Sequence, residues 1–281
     1  MLTAHYTFRV EFERDMADTD RKKVVELINV DKAFGDQIVL EHVNLPIYEG
    51  TTTVVVGPSG TGKSVTLKLM MGLMRPDSGQ VIAFGQDISN ISNKELRKIR
   101  MNFGVLFQNV ALFDSMNIFD NIALPLRERT DATDDEIRRN VQEKLEMMGL
   151  TGSDDKFPAQ LSGGMLKRAG LARALVLNPR IVFFDEPTTG LDSNKSAEIY
   201  RLFHQTQREL NYSAVIVSHD VPKIFKLSDY VVLLAEKKLH GCVSPEDFQL
   251  SDNPAIRLYV EKNIGPIYSS LREEAGFYET F

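Results

Sequence analysis

The chain has 281 residues, 43% hydrophobic and 26% charged, the balance of an ordinary globular protein long enough for one large α/β domain with inserts and tails. Its net charge of −6 argues against a broad basic surface that tracks phosphates, so a nucleic-acid partner is not expected. A lone cysteine, Cys242, excludes an internal disulfide framework and fits a reducing compartment, and no apolar run reaches the ~20 residues that span a bilayer.

In residues 1–23 Tyr6, Phe8, Val10 and Phe12 alternate with polar residues, which fits either an edge strand or a solvated tail. The acidic and basic residues of this stretch leave no apolar centre for a signal peptide, so the chain is expected in the cytoplasm, with any membrane role supplied by a partner. Residues 24–30 and 38–47 read as strands around a Gly35-Asp36 turn, and 51–56 as a buried central strand because it is β-branched throughout. A helix is expected over 63–74, ended by Arg75-Pro76-Asp77. From 93 to about 155 the pattern is helical, with capping-box spacing from Thr133 to Glu136 followed by Ile137, Val141, Leu145 and Met148 at helical intervals. Ser162 opens a helix to about Leu177. Strands at 181–184 and 214–217 flank a helix at 194–210, and 231–235 with 238–243 form a closing hairpin, Cys242 being a small residue near its end. The last stretch carries Ile256, Tyr259, Val260, Ile264, Ile267 and Tyr268, more apolar than a disordered tail. Strands alternating with helices predict an α/β fold on a mostly parallel sheet with a helical insert.

Gly57-Pro58-Ser59-Gly60-Thr61-Gly62-Lys63-Ser64 has the spacing of a P-loop, between a strand and a helix. Glycines let the backbone wrap until several N–H groups face one phosphate, and the helix N-terminus adds positive partial charge. Lys63 is expected to reach the β- and γ-phosphates of ATP, and Ser64 to ligate Mg²⁺. Ile181-Val182-Phe183-Phe184 ends in Asp185-Glu186. An apolar strand before Asp-Glu is common by itself, but after a P-loop it assigns Asp185 to Mg²⁺ and Glu186 to the attacking water.

Leu161-Ser162-Gly163-Gly164-Met165 resembles the LSGGQ signature of the ABC (ATP-binding cassette) ATPases, and the resemblance extends over roughly 24–243. It implies a P-loop NTPase (RecA-like) core, an antiparallel β subdomain and a helical subdomain at about 95–178. The extensions are then 1–23 and 246–281, around a cassette of 24–245. Ser162, Gly163 and Gly164 at a helix start form a second anion site. In this family that site faces the γ-phosphate bound by the other copy, so a head-to-tail homodimer is implied. Phe34 takes the adenine-stacking position, though an isolated Phe is also ordinary core. Gln108 matches the Q-loop glutamine that senses Mg²⁺ and couples to the membrane subunit, Thr189-Gly190-Leu191-Asp192 the D-loop, and His219 the switch histidine at the γ-phosphate. Val65 stands where many relatives carry a hydroxyl, so a bond to the α-phosphate is either missing or supplied by Thr66.

Only one cassette is present, and no long coiled-coil insert separates P-loop from signature, so translation-factor and DNA-repair relatives fit poorly. Met165 and the run from Gln108 to Glu128 resemble the Mla/Mce-associated ATPases, which implies lipid traffic between inner and outer membranes. The implied partners are a MlaE-like permease, a MlaD-like MCE-domain protein and a MlaB-like STAS-domain protein, at the cytoplasmic face of the inner membrane. The apolar run 110–113 either receives a permease helix or packs the insert. An ABC transporter for another solute, or a non-transport regulator of an envelope complex, is the alternative. The C-terminal apolar residues cover either the neighbouring copy or their own domain.

Overall fold

In the computed structural model, residues 21–221 and 223–264 are described. The alternating residues 6–12, and Ile267 and Tyr268, lie outside them. The β-branched run before the P-loop forms β3 (Thr52–Val56), buried along its whole length. It sits inside a six-stranded sheet ordered β10-β9-β3-β8-β7-β6, made of β6 (Phe103–Leu106), β7 (Ile181–Asp185), β8 (Ser213–Val217), β9 (Tyr230–Ala235) and β10 (Lys238–Val243). Strands β9, β3, β8, β7 and β6 run parallel, and β10 closes the edge antiparallel to β9.

The period of two sorts side chains to the two faces of this sheet. Val54, Val56, Val182, Phe184, Ala214, Ile216, Val231 and Leu233 enter one core, which also takes up most of the helices. Val55, Ile181, Phe183, Val215, Val217, Val232 and Leu234 enter the other. The second core is roofed by an antiparallel sheet ordered β2-β1-β4-β5, from β1 (Lys23–Phe34), β2 (Gln37–Tyr48), β4 (Ser78–Ala83) and β5 (Gln86–Asp87).

Eight α-helices are placed among the described residues: α1 (Lys63–Met70), α2 (Asn93–Arg100), α3 (Ile118–Arg129), α4 (Asp134–Met147), α5 (Gly163–Leu175), α6 (Ser193–Leu210), α7 (Pro245–Gln249) and α8 (Pro254–Asn263). The Thr133–Glu136 capping box forms, and Ile137, Val141, Leu145 and Met148 are buried in the first core. Two expectations fail. The first helix stops at Met70 rather than 74, because the chain turns at Gly72 (φ 63°), where a Cβ would meet Leu96 Cδ1 at 2.8 Å. The stretch 93–155 is not wholly helical, because β6 lies within it and pairs with β7. Four residues give too short a period to mark a strand. Its Gly104 is required by packing, since a Cβ there would lie 2.6 Å from the Ala174 carbonyl oxygen on α5. At the C-terminal end, Phe248 of α7 meets Phe225 and Tyr259 edge to face, and Ile256 and Tyr259 of α8 are buried in the first core, so these apolar residues cover their own domain.

Candidate nucleotide-binding site

Parallel strands direct their C-terminal ends to one edge of the sheet, where an open α/β sheet places its ligands. Strand β3 feeds the P-loop there, β7 ends in Asp185, and the Ser218-His219 turn follows β8. Gly57 has φ 152° and is packed so closely that a Cβ would lie 2.3 Å from the Leu234 carbonyl oxygen. Gly62 (φ 106°) is the N-cap of α1, and a Cβ on it would strike Val39 Cγ1 of β2 at 2.6 Å. No side chain caps α1 and its first turn carries no acidic residue, so the loop's N–H groups and the positive end of the helix are left for an anion.

Lys63 is 5% exposed, and its Nζ donates to the Gly57 carbonyl at 2.9 Å and the Pro58 carbonyl at 2.8 Å. Burial pushes the ammonium's pKa down, while the Glu186 and Asp185 carboxylates oppose that. Thr61 Oγ1 also donates to the Pro58 carbonyl, at 2.9 Å, closing the loop on itself. Ser64 Oγ donates to Asp185 Oδ1 at 2.9 Å, so the two oxygens expected to share Mg²⁺ already meet. Burial raises the Asp185 pKa, the Ser64 bond lowers it, and the Glu186 charge raises it. This is a carboxylate that a divalent cation would relieve. Hard oxygen donors of this kind suit Mg²⁺, which usually completes its shell with water and nucleotide phosphates.

Glu186 adopts φ 46°, the left-handed region that is costly for a residue with a Cβ. Its backbone N–H donates to the Val217 carbonyl at 2.9 Å, tying the end of β7 to β8. Its Oε2 accepts from Thr189 Oγ1 at 3.1 Å and lies 3.4 Å from Nδ1 of His219. Lys63, Ser64, Asp185, Glu186 and His219 are therefore one cluster. Phe34 ends β1 with 48% of its surface exposed, and the Lys32 ammonium lies 5.5 Å from its ring centroid. Thr66 is no substitute for a hydroxyl at Val65, because it is fully buried and donates back to the Gly62 carbonyl at 3.1 Å.

Two expected parts stand apart from the cluster. Ser162 caps α5, its Oγ accepting from the Met165 N–H at 3.4 Å, while Gly163 lies against Leu191. Among the described residues no hydrogen bond joins Ser162, Gly163 or Gly164 to the P-loop. The Gln108 side chain is exposed, and among the described residues its carbonyl is held by Lys167 Nζ at 2.5 Å. In the D-loop, Asp192 caps α6, accepting from the N–H groups of Asn194 and Lys195.

Sequence reading missed a buried hydroxyl relay. Thr188 Oγ1 and Tyr200 Oη are 2.9 Å apart, and Tyr200 Oη and Ser218 Oγ 3.3 Å. It connects the segment after Glu186 to the turn that carries His219. Burial pushes the Tyr200 phenol up to about 12, so it stays protonated and able to donate. Ser218, directly before the expected histidine, was the available signal.

A family model described as ABC transporter matches residues 40–189. The probable ribonucleotide transport ATP-binding protein mkl of Mycobacterium leprae is 44% identical over 263 residues, 91% of this chain and 76% of that one. The intermembrane phospholipid transport system ATP-binding protein MlaF of Haemophilus influenzae is 37% identical over 247 residues, 88% of this chain and 94% of that one. Among solved structures, cbiO1 of Clostridium perfringens, part of the ABC transporter complex cbiONQ, superposes with a TM-score of 0.75 at 27% identity, covering 86% of this chain and 96% of that one. The dimeric ATP-binding cassette MJ0796, in a post-hydrolysis state bound to ADP and Pi, gives a TM-score of 0.70 at 32% identity, with 77% and 98% covered.

Proposed function

We propose that this chain, which belongs to the ABC transporter family as an ATP-hydrolysing subunit, powers movement of phospholipid or a related lipid between bacterial inner and outer membranes. What carries the lipid reading is the similarity to a phospholipid-transport ATP-binding protein along 94% of that protein's length. Met165 and the run from Gln108 to Glu128 support it. Ribonucleotide cargo is the second reading, favoured by the 44% identity to the mycobacterial relative.

In the proposed cycle the P-loop amides and Lys63 hold the ATP phosphates, Phe34 stacks on adenine, and Val65 makes only apolar contact. Ser64, Asp185 and Gln108 would hold Mg²⁺, which when bound neutralises charge on the β- and γ-phosphates. Glu186 takes the proton of the attacking water and His219 steadies the γ-phosphate. Ser162, Gly163 and Gly164 complete the site of a second copy, so two copies close over two nucleotides, as the dimeric ADP-bound relative suggests. No helix among the described residues is long and apolar enough to cross a membrane. A permease of the MlaE type, an MCE-domain protein and a STAS-domain protein are the proposed partners, seated at the inner membrane. The test is to purify the tagged chain from its own membranes, identify what accompanies it, and assay the complex with phospholipid or ribonucleotide. An MCE-domain partner and lipid-stimulated hydrolysis support the first reading, whereas stimulation by ribonucleotide alone replaces it with the second.

A further inference from the structure

Helix α5, capped by Ser162, carries a buried lysine and a half-buried arginine that both reach the loop after β6. Lys167 is 5% exposed, and its Nζ donates to the Gln108 carbonyl at 2.5 Å. Arg173 reaches the same loop further on, donating from one terminal nitrogen to the Val110 carbonyl and from the other to the Ala111 carbonyl, both at 2.8 Å. Among the described residues neither cation forms a salt bridge, although burial of this kind disfavours an unpaired charge. Their compensation comes from three successive contacts on one loop backbone.

That loop is strained where it is held. Val110 has φ 58° and Ala111 φ 55°, both β-carbon residues in the left-handed region. Such a conformation persists only where the surroundings impose it. Between the two cations on the helix sits Gly170, and a Cβ there would fall 2.3 Å from Val110 Cγ1. Lys167, Gly170 and Arg173 thus recur at every third position, two donors around a gap that lets the loop approach. The far end is fixed as well: buried Asn121 accepts from the Phe113 N–H at 2.7 Å and donates to the carbonyls of Phe113, Met116 and Asn117, each at 3.0 Å. At the first of these anchors the Gln108 backbone is held while its side chain is exposed.

We propose that Lys167 and Arg173 are positioning residues for Gln108, locking its backbone to the helix that starts at Ser162 so that the two move as one body. The inference rests on the reading of Gln108 as a residue that acts in hydrolysis. A second copy's nucleotide, on engaging Ser162, would then displace Gln108 of the same chain, relating the two composite sites through a rigid helix instead of a flexible loop.

The test compares full-length wild type with Lys167→Met, Lys167→Arg, Arg173→Lys and Gln108→Ala, using MgATP for turnover and amide hydrogen exchange on the nucleotide-free protein. Losing a hydrogen bond from a charged donor predicts a fall in kcat of about tenfold or more for Lys167→Met. KM should stay within about twofold, because the P-loop is untouched, and Lys167→Arg should recover most of the loss. Exchange should quicken by a similar factor at Val110 and its neighbours and not across the sheet. If Lys167→Met does not fold, Arg173→Lys decides, since it keeps the charge but loses the fork that spans two carbonyls. Wild-type kcat and exchange in these variants, with Gln108→Ala impaired, overturns the clamp and leaves the Gln108 reading intact. Wild-type kcat in Gln108→Ala overturns both.

Discussion

Replacing Glu186 by Gln isolates one chemical property, because the surrounding geometry gives Gln almost everything Glu has. The backbone bond to Val217 is indifferent to the side chain, and the φ of 46° strains both residues alike. The Thr189 hydroxyl, 3.1 Å from Oε2, can donate equally to an amide oxygen. The cost to folding is therefore the difference between a charged and a neutral acceptor, about 1 kcal/mol. What disappears is the basicity that takes a proton from water, and general-base catalysis contributes roughly 10²–10⁴ in rate, or about 3–5 kcal/mol. Nucleotide binding should survive or tighten, since Glu186 is the leading charge that stabilises the Lys63 ammonium, and its removal leaves that ammonium to the phosphates. Phosphate release measures the rate, and size exclusion with ATP shows whether the variant accumulates as a closed dimer. Hydrolysis within about threefold of wild type would falsify the role given to Glu186, because a contribution that small lies below the general-base range.

Lys63→Ala removes the two bonds that close the P-loop and the cation under the phosphates, so ATP affinity or turnover should drop by at least about 10²; retained nucleotide binding and hydrolysis would sink the P-loop assignment. Ser162→Ala loses a long N-cap bond of 3.4 Å, for which about 1 kcal/mol and a Tm shift of about 2–4 °C are expected, while hydrolysis falls far more than that and ATP binding to one copy persists. Equal loss of binding and hydrolysis would point to misfolding rather than a composite site. His240 supplies a pH dependence: burial holds its pKa below the usual 6.5, and its Nε2 has no hydrogen-bond partner among the described residues. The unfolded chain then takes up a proton that the folded chain refuses, so this contribution is present above pH 6.5 and lost as pH falls below it. His240→Phe should flatten the decline of Tm between about pH 6.5 and 5, and an unchanged slope would remove His240 from the acid response.

The P-loop and the strand-end carboxylates were readable because each motif is local. Gly57 to Ser64 must be contiguous to wrap one anion, and Asp185 and Glu186 must end an apolar strand. The Thr133–Glu136 capping box was legible for the same reason, being closed within one turn. What escaped depended on elements meeting across the fold. The strand β6 has only four residues, and both its partner β7 and the helix α5 that packs on Gly104 lie far along the chain. Nothing near Lys167 and Arg173 in sequence announces three carbonyls on a loop some sixty residues earlier; the separations are 59, 62 and 63. Tyr200 likewise finds Thr188 and Ser218 only after α6 has crossed the sheet. Of the two alternatives left open at Val65, the Thr66 hydroxyl is engaged by its own helix, a bond the sequence does not announce.

These cross-fold contacts divide the machine differently from its motifs. The loop proposed to bind phosphate, Gly57 to Ser64, springs directly from β3, whose side chains fill both cores of the parallel sheet, so its start is placed by packing. The residues assigned to sensing the nucleotide, Gln108 and His219, sit instead at turns tied to helices by side-chain bonds: Gln108 to α5 through Lys167, and the His219 turn to α6 through Ser218 and Tyr200. A motor needs that separation. A site that moved with the helices would bind ATP poorly between strokes, and sensors fixed to the sheet would have nothing to transmit. On this division, weakening a helix tie should lower turnover with little change in ATP affinity, whereas weakening the P-loop should change both. The Lys167→Met and Lys63→Ala pair therefore separates transmission from binding in a single comparison.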